Sequence, residues 1–328
     1  MLSENNTAII EKRKSFSKSS LIIFAKILIA IGILFFLLQS VEYSQIVAAV
    51  QKVNIGILLI AILFGVLNIY LQYLKWRLTC SEVLLISDKF KILRSLFYGF
   101  SAGIITPLRV GEYFGRGIEF KDKSLLQITV ATLIDKFFPL LMVASLGSIS
   151  CLIFIYTYYH VPFYIILSLF LLIFTLFYFV ILLMISQSFW NSVLFSRIKN
   201  SSRMKTILEK LKNFKNLDKK YLYKMLILSF LFYSCYLIQY AILVSAFSHN
   251  SDFINYLWAG NLIMFTKTII PPVSFGELGI REGASVYFIT QMGESASIGF
   301  NASIFLFIIN LLIPSLVGVG LFLKKNGN

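Results

Sequence analysis

The sequence is poor in charge. Only 14% of its 328 residues are charged, whereas about 25% are charged in a typical soluble domain. Its mean hydropathy is +0.82, and its content of hydrophobic residues, 58%, exceeds what a soluble chain of this length can bury. These values exclude an ordinary soluble enzyme, a disordered chain and a secreted disulfide scaffold.

Cysteine, histidine and nucleotide-binding motifs are equally scarce. The three cysteines, Cys80, Cys151 and Cys235, form no CxxC pair, and His160 and His249 are far apart. Such spacing fits neither a metal site nor a disulfide framework, and the Walker and dinucleotide motifs are missing. The sequence therefore predicts no metal and no cofactor.

What the sequence does contain is long apolar runs, too long for the strands of a transmembrane barrel. We predict six membrane-spanning helices, at Leu21–Leu38, Val53–Leu74, Leu125–Tyr156, Val161–Ser186, Leu222–Phe247 and Ser297–Leu323. The predicted fold class is thus all-α, a polytopic helical membrane protein. We expect residues 1–20 to form a cytoplasmic tail and residues 21–328 to form a single integral membrane domain.

Positive charge is concentrated on one side of these predicted spans. The net charge is +15, and 24 of the 30 Lys and Arg residues lie in segments 1–20, 75–123, 187–221 and 324–328. The opposite loops contain only Lys52. Because Lys and Arg accumulate in cytoplasmic loops, we predict a cell-membrane protein with both termini in the cytoplasm. The basic loop 187–221 then implies no nucleic-acid partner; it attracts anionic lipid or docks a protein.

Two segments that contain proline and glycine resemble each other at an offset of 165 residues. IITPLRVGEYFGRG begins at Ile104 and IIPPVSFGELGIRE begins at Ile269, and six of the fourteen positions are identical. Three predicted spans separate the copies, so the second is inverted relative to the first. Unless the match is a coincidence, it predicts two re-entrant hairpins in an inverted repeat, with halves at about 21–157 and 161–323.

The prolines and glycines of these segments interrupt the apolar helices. The predicted breaks are Pro107, Gly111, Pro271, Pro272, Gly276 and Gly279. Proline ends a helix and glycine lets the chain turn. Irregular backbone at membrane depth is tolerated only where it is buried in protein or faces water. We therefore expect the breaks to line a cavity, into which new helix N-termini would point anion-binding N–H groups.

Charged residues flank both breaks. A charge inside a membrane costs about 2.5–3.5 kcal/mol, so each must be paired or solvated. We predict that a charged lipid head group is bound by Arg109, Glu112, Arg116, Lys267, Glu277, Arg281 and Glu282. The alternative is structural, because Glu112 with Arg116, and Glu277 with Arg281, have the i,i+4 spacing of helical ion pairs.

Asp135 and Lys136 are a second group of charges, within the third predicted span. Adjacent helical residues point in different directions, so we expect the two side chains to have different partners. They either contribute to the same site or pack against the first hairpin.

Ser101 lies in a GxSxG pattern between Gly99 and Gly103. A nucleophile elbow would need a preceding strand, which the sequence does not predict. The same glycines, like Gly111–Gly115 and Gly279–Gly283, fit the GxxxG spacing of closely packed helices, and we favour that interpretation.

The segment PPVSFGELGIREG, residues 271–283, resembles the P-x-x-x-G-x-x-G-x-R-E-G signature of a known family. The segment PLRVGEYFGR, residues 107–116, and the residue pairs Lys75–Arg77 and Asp135–Lys136 also resemble that family. It is the transmembrane-region family of lysylphosphatidylglycerol synthases, also described as flippase-like proteins. The resemblance covers nearly the whole chain and implies a membrane module that moves modified or polyprenyl-linked lipids between leaflets.

Three functions are compatible with this sequence. The first is a translocase for anionic or polyprenyl-phosphate-linked lipids, with the head group held between the hairpins. The second is a membrane transferase, although the chain carries no catalytic motif above background. The third is an accessory subunit that works with a separate lipid-modifying enzyme. We favour the translocase.

The predicted topology can be tested by labelling. Single cysteines introduced at Ser201 and at His249 should react with a membrane-impermeant thiol reagent from opposite sides, because the predicted span Leu222–Phe247 lies between them. Labelling of both positions from the same side would contradict the inverted repeat.

Overall fold

The computed structural model describes residues 47–48, 50–185, 219–270 and 279–326. Its helices are α1 (Ile55–Thr79), α2 (Lys89–Ile105), α3 (Gly111–Gly117), α4 (Leu125–Tyr159), α5 (Phe163–Ile185), α6 (Lys219–Ser248), α7 (Phe253–Ile269), α8 (Ile280–Gln291), α9 (Ala296–Phe307) and α10 (Ile313–Asn326). A π-helical segment, Cys80–Leu84, extends α1, and another, Ile308–Leu312, joins α9 to α10.

The prediction of an all-α membrane protein is confirmed. Within the described ranges, four continuous helical segments are long and apolar enough to cross a membrane: Ile55–Leu84, Leu125–Tyr159, Lys219–Ser248 and Ala296–Lys325. Helix α5 coincides with the predicted fourth span, Val161–Ser186. Several predicted features lie outside the described residues: the first span, the breaks at Pro271, Pro272 and Gly276, the site residue Glu277, and most of the basic loop. The count of six spans therefore stays a prediction.

Local sequence explains where several helices begin. Asn54 caps α1 by accepting a hydrogen bond from the Ile57 N–H, and Ser124 forms a reciprocal capping box with Gln127 at the start of α4. Such caps satisfy backbone donors that have no partner within the helix. Asp88 caps α2, and the hydrogen bond from the Lys91 N–H lowers the pKa of its exposed carboxyl from the ordinary value.

Helix α1 corrects one expectation from the sequence. In the sequence, the apolar run ends at Leu74 and Lys75, Trp76 and Arg77 follow it, a pattern that predicts an interfacial anchor at the end of the span. The helix instead continues to Thr79, and the side chains of Lys75 and Trp76 are buried. They are tolerated inside the protein because other helices supply partners, which for Lys75 is the carboxylate of Asp135 on α4.

Helices α1 and α6 come from the two predicted halves of the sequence and run antiparallel. The inverted repeat itself stays a prediction. At one end the Asn54 N–H donates to the Ala246 carbonyl at 3.0 Å. At the other end the hydroxyls of Thr79 and Tyr221 are hydrogen-bonded at 3.2 Å.

Each hairpin packs against the last helix of the other half. In one such pair, the Ser101 hydroxyl on α2 donates to the Ser315 carbonyl on α10 at 2.6 Å. In the equivalent pair, the Trp258 indole N–H on α7 donates to the Ser150 carbonyl on α4 at 3.3 Å. The hydroxyl of Ser101 is therefore used in helix packing.

Glycine lets the first hairpin close tightly. A Cβ added to Gly111 would lie 2.1 Å from the Ala102 carbonyl oxygen, and one added to Gly115 would lie 2.3 Å from the Tyr98 carbonyl oxygen. Helix α3 thus meets the backbone of α2 directly, as the GxxxG spacing predicts. No side-chain movement can make room there, because the obstructing atoms are backbone.

We expect Gly111→Ala to destabilise the folded protein by about 1–3 kcal/mol, because the added methyl group overpacks the contact between α2 and α3. Thermal unfolding in detergent would measure this as a lowered Tm. Gly320→Ala is the matched control, since a Cβ at this position on α10 meets no atom within 4 Å. Equal Tm values for the two variants would contradict the close packing.

Candidate functional site

A polar cavity of about 280 Å³ lies between the two halves of the fold. Its wall contains charged residues from both hairpins and from the helices α1 and α4 that flank the first one. The charged lining residues are Lys75, Arg109, Glu112, Arg116, Asp135, Lys136, Lys267 and Arg281. The two short sequences that match along the chain therefore meet in one cavity.

Arg116 is the centre of the first half of this cavity. Its guanidinium donates to the Glu112 carboxylate at 2.8 Å and to the Asp135 carboxylate at 2.9 Å. The ring of Trp76 lies beneath it, with its centroid 4.2 Å from the guanidinium carbon. Two carboxylates and an aromatic face are the surroundings that a buried guanidinium needs.

The two carboxylates are shared by further cations. Glu112 also accepts from Lys136 at 2.7 Å and pairs with Arg109 at 3.2 Å. Asp135 also faces the buried ammonium of Lys75 at 3.6 Å. Among the described residues, four cations thus share these two carboxylates.

These contacts confirm two geometric predictions. Glu112 and Arg116 form the expected i,i+4 ion pair. Asp135 and Lys136, although adjacent, have different partners, because Asp135 pairs with Arg116 whereas Lys136 pairs with Glu112. Whether the same residues bind a head group stays a prediction.

The second hairpin holds its arginine differently. Arg281 pairs with its neighbour Glu282, and its Nε donates to the Ser303 hydroxyl at 3.1 Å. Glu282 is fully buried and is not among the residues of the cavity wall. Its other oxygen accepts from the Gly279 N–H at 2.6 Å, so Glu282 both caps α8 and orients Arg281.

The helix N-termini at the breaks differ from the expectation that they offer free N–H donors. The Gly111 N–H donates to the Thr106 hydroxyl at 2.7 Å, and the Gly279 N–H is taken by Glu282. The side chains of Thr106 and Glu282 accept these two hydrogen bonds, so neither N–H is free to bind an anion. The positive charge in the cavity is that of Lys and Arg side chains.

Backbone geometry at the breaks is unusual. Leu108 and Arg109 adopt left-handed conformations, with φ of 55° and 53°, directly after Thr106 ends α2. Gly279, with φ of 97°, precedes α8 in the second hairpin. Non-glycine residues rarely adopt positive φ, and such strain is concentrated at functional sites.

Sequence analysis missed part of the cavity wall. Asn68, Gln72 and Lys75 line it from α1, and their i,i+4,i+7 spacing in an apolar helix is a signal that could have identified them. Pro139 also lines the wall. It lies one turn after Asp135 and has no N–H to donate to the Asp135 carbonyl.

Some polar groups of the wall have no hydrogen-bond partner within the described residues. They include the amide nitrogen of Asn68 and the amide oxygen of Asn310, both buried. Asn310 uses its nitrogen to donate to Gln239 at 2.8 Å. Buried polar groups are normally paired with protein, water or ligand, so the cavity can bind a polar molecule.

Cations outnumber carboxylates among the described residues of the cavity. The cations are Lys75, Arg109, Arg116, Lys136, Lys267 and Arg281. Their described counter-ions are Glu112, Asp135 and Glu282. An anion is the ligand that complements this described charge.

The described helices surround an internal polar cavity, which is typical of a helical membrane protein with a ligand site inside its helix bundle. Residues 23–318 match the family described as the lysylphosphatidylglycerol synthase TM region, so the chain belongs to that family. The family resemblance seen in the sequence is thereby confirmed, and the family is related to membrane lipids. No individual curated protein matches the chain.

Asp135→Asn tests the dependence of the fold on the ion cluster. We expect it to destabilise the protein by about 3–5 kcal/mol, because Arg116 and Lys75 stay buried while the Asp135 carboxylate, which pairs with both of them, is neutralised. Adding Lys75→Met should recover part of the lost Tm by removing one uncompensated cation. Glu82→Gln, which changes an exposed carboxylate, is the control. An unchanged Tm for Asp135→Asn would show that the cluster is not structural.

Proposed function

We propose that this protein is a lipid translocase of the cell membrane that binds an anionic head group in the polar cavity. The observation that carries the proposal is the meeting of cations from both hairpins in a single cavity, where cations outnumber carboxylates among the described residues. A phosphate group, whether of a phospholipid or of a polyprenyl carrier, complements that charge. The lipid chains stay in the surrounding bilayer.

The cations of the wall have different roles in this proposal. Arg116 is occupied by Glu112 and Asp135, so it fixes the geometry and the field of the first hairpin. Arg281 is braced by Glu282 and Ser303, which presents its guanidinium as a planar donor for phosphate. Lys267, held against the Tyr236 ring at 5.5 Å, adds a point charge.

One part of the site can exchange its ion-pair partners. In it, Glu112 forms ion pairs with Arg109 and Lys136 as well as with Arg116. An arriving phosphate competes with Glu112 for them, so binding and release exchange one anion for another without leaving a bare charge in the membrane. In the second hairpin, Glu277 is proposed to neutralise the cations in the same way when no phosphate is bound.

The predicted inverted repeat would provide a route across the membrane, because such repeats give alternating access to a site at their interface. The charge asymmetry of the sequence supports an orientation with both termini in the cytoplasm. The proposal covers residues 21–328 as one membrane domain.

Proteoliposomes with fluorescent lipids test the proposal. Dithionite quenching measures how fast labelled phosphatidylglycerol, phosphatidylcholine or a polyprenyl phosphate changes leaflet. We expect Lys267→Gln/Arg281→Gln to slow transport of the anionic substrate by roughly tenfold or more, because each charge-assisted hydrogen bond contributes about 1.5–3 kcal/mol.

Two controls separate binding from folding. Lys89→Gln/Lys91→Gln removes two exposed charges at the start of α2, outside the cavity, and should transport normally. Lys267→Arg/Arg281→Lys keeps both charges and should retain measurable transport. A folded Lys267→Gln/Arg281→Gln variant that moves every lipid at the wild-type rate would refute the proposal.

A further inference from the structure

A second cavity, which we call the basic groove, lies between α1 and α6. Its volume is about 460 Å³, and it is lined by Leu74, Arg77, Leu78, Ser81, Lys224, Ile227 and Leu228. It shares no lining residue with the polar cavity. On α1, Lys75 points to the polar cavity whereas Arg77, two residues later, lines the basic groove.

The groove is built from two matching helical stripes. Its α1 residues have i,i+3,i+4,i+7 spacing, and its α6 residues have i,i+3,i+4 spacing. Each stripe therefore presents one face of its helix. Each contributes one cation, Arg77 or Lys224, set among leucine and isoleucine side chains.

Within the part of the chain that the structure describes, neither cation is paired with a carboxylate. No salt bridge to a described residue involves Arg77 or Lys224, whereas Arg94 pairs with Glu119 at 2.8 Å. None of the described residues that line the groove is acidic. The Ser81 hydroxyl donates to the Leu78 carbonyl at 3.0 Å.

The groove lies at the end of the helix pair where the basic segments are. Helices α1 and α6 are antiparallel, and Thr79 meets Tyr221 at this end. The charge asymmetry predicts that this is the cytoplasmic side, whose leaflet contains anionic lipids. Basic pockets between membrane helices on that side bind lipid phosphate groups.

We propose that the basic groove binds an anionic glycerophospholipid as a bound, non-transported lipid. The phosphate lies between Arg77 and Lys224, and an acyl chain follows the apolar walls formed by Leu74, Leu78 and Ile227. The lipid thereby joins α1 to α6, which come from the two predicted halves of the sequence. This site is independent of the proposed transport function.

Photocrosslinking of the full chain tests the groove directly. The protein is reconstituted in phosphatidylcholine nanodiscs with a trace of phosphatidylglycerol that carries a diazirine in one acyl chain, and labelled peptides are identified by mass spectrometry. We expect labelling within residues 74–81 and 224–228. Unlabelled phosphatidylglycerol should compete for it, and extra phosphatidylcholine should not.

Charge variants provide the matched comparison. Arg77→Gln/Lys224→Gln should reduce labelling of the groove by roughly five- to 25-fold, since each cation near an anionic leaflet contributes a preference on the order of fivefold. Lys89→Gln/Lys91→Gln, which removes two exposed charges elsewhere, should leave it unchanged. Lys267→Gln/Arg281→Gln should also leave it unchanged, which separates this site from the polar cavity.

Three outcomes would overturn the proposal. The first is groove labelling of equal strength in Arg77→Gln/Lys224→Gln and wild type. The second is competition by phosphatidylcholine as effective as that by phosphatidylglycerol, which would indicate ordinary contact with bilayer lipid. The third is an equal loss in the Lys89→Gln/Lys91→Gln variant, which would indicate attraction of anionic lipid to the whole surface.

Discussion

The interior of this protein holds the Arg116 guanidinium between the carboxylates of Glu112 and Asp135, over the ring of Trp76. A charge that leaves water must find opposite charge and hydrogen bonds within the protein. This requirement brings α1, α3 and α4 together, because each contributes part of the cluster. It also keeps α1 helical beyond Lys75, whose ammonium faces Asp135. The polar cavity exists where these paired charges adjoin the second hairpin.

The cluster is asymmetric although the two hairpins repeat in sequence. In the first half Arg116 reaches across to α4 for Asp135, whereas in the second half Arg281 uses its own neighbour Glu282 together with Ser303 on α9. The sequence match therefore keeps the position of the arginine, while the described partners Asp135, Glu282 and Ser303 have no counterpart in the other half.

The sequence predicted the described helices and the break between α2 and α3 well, because both leave local signals. Apolar runs, Ser124 with Gln127, and the proline and glycine at 107 and 111 act within a few residues of each other. The pairing of Glu112 with Arg116 was predictable for the same reason. The roles of Lys75, Asn310 and Glu282 were not, because they depend on which helices meet and which way each faces. Lys75 followed an apolar run and so resembled an interfacial anchor, whereas a carboxylate 60 residues later in the chain made burial possible.

Glycine contacts connect the first hairpin to the opposite half of the chain. A Cβ at Gly318 on α10 would lie 2.2 Å from the Phe97 carbonyl oxygen on α2, and one at Gly111 on α3 would lie 2.1 Å from the Ala102 carbonyl oxygen on α2. Both α10 and α3 thus approach the backbone of α2 closely. In the other predicted pair, α7 and α4 meet where Gly147 packs against Phe265. Close helix contacts in this protein therefore join the two sequence halves, and a rocking motion of one intact half against the other would have to separate these helices.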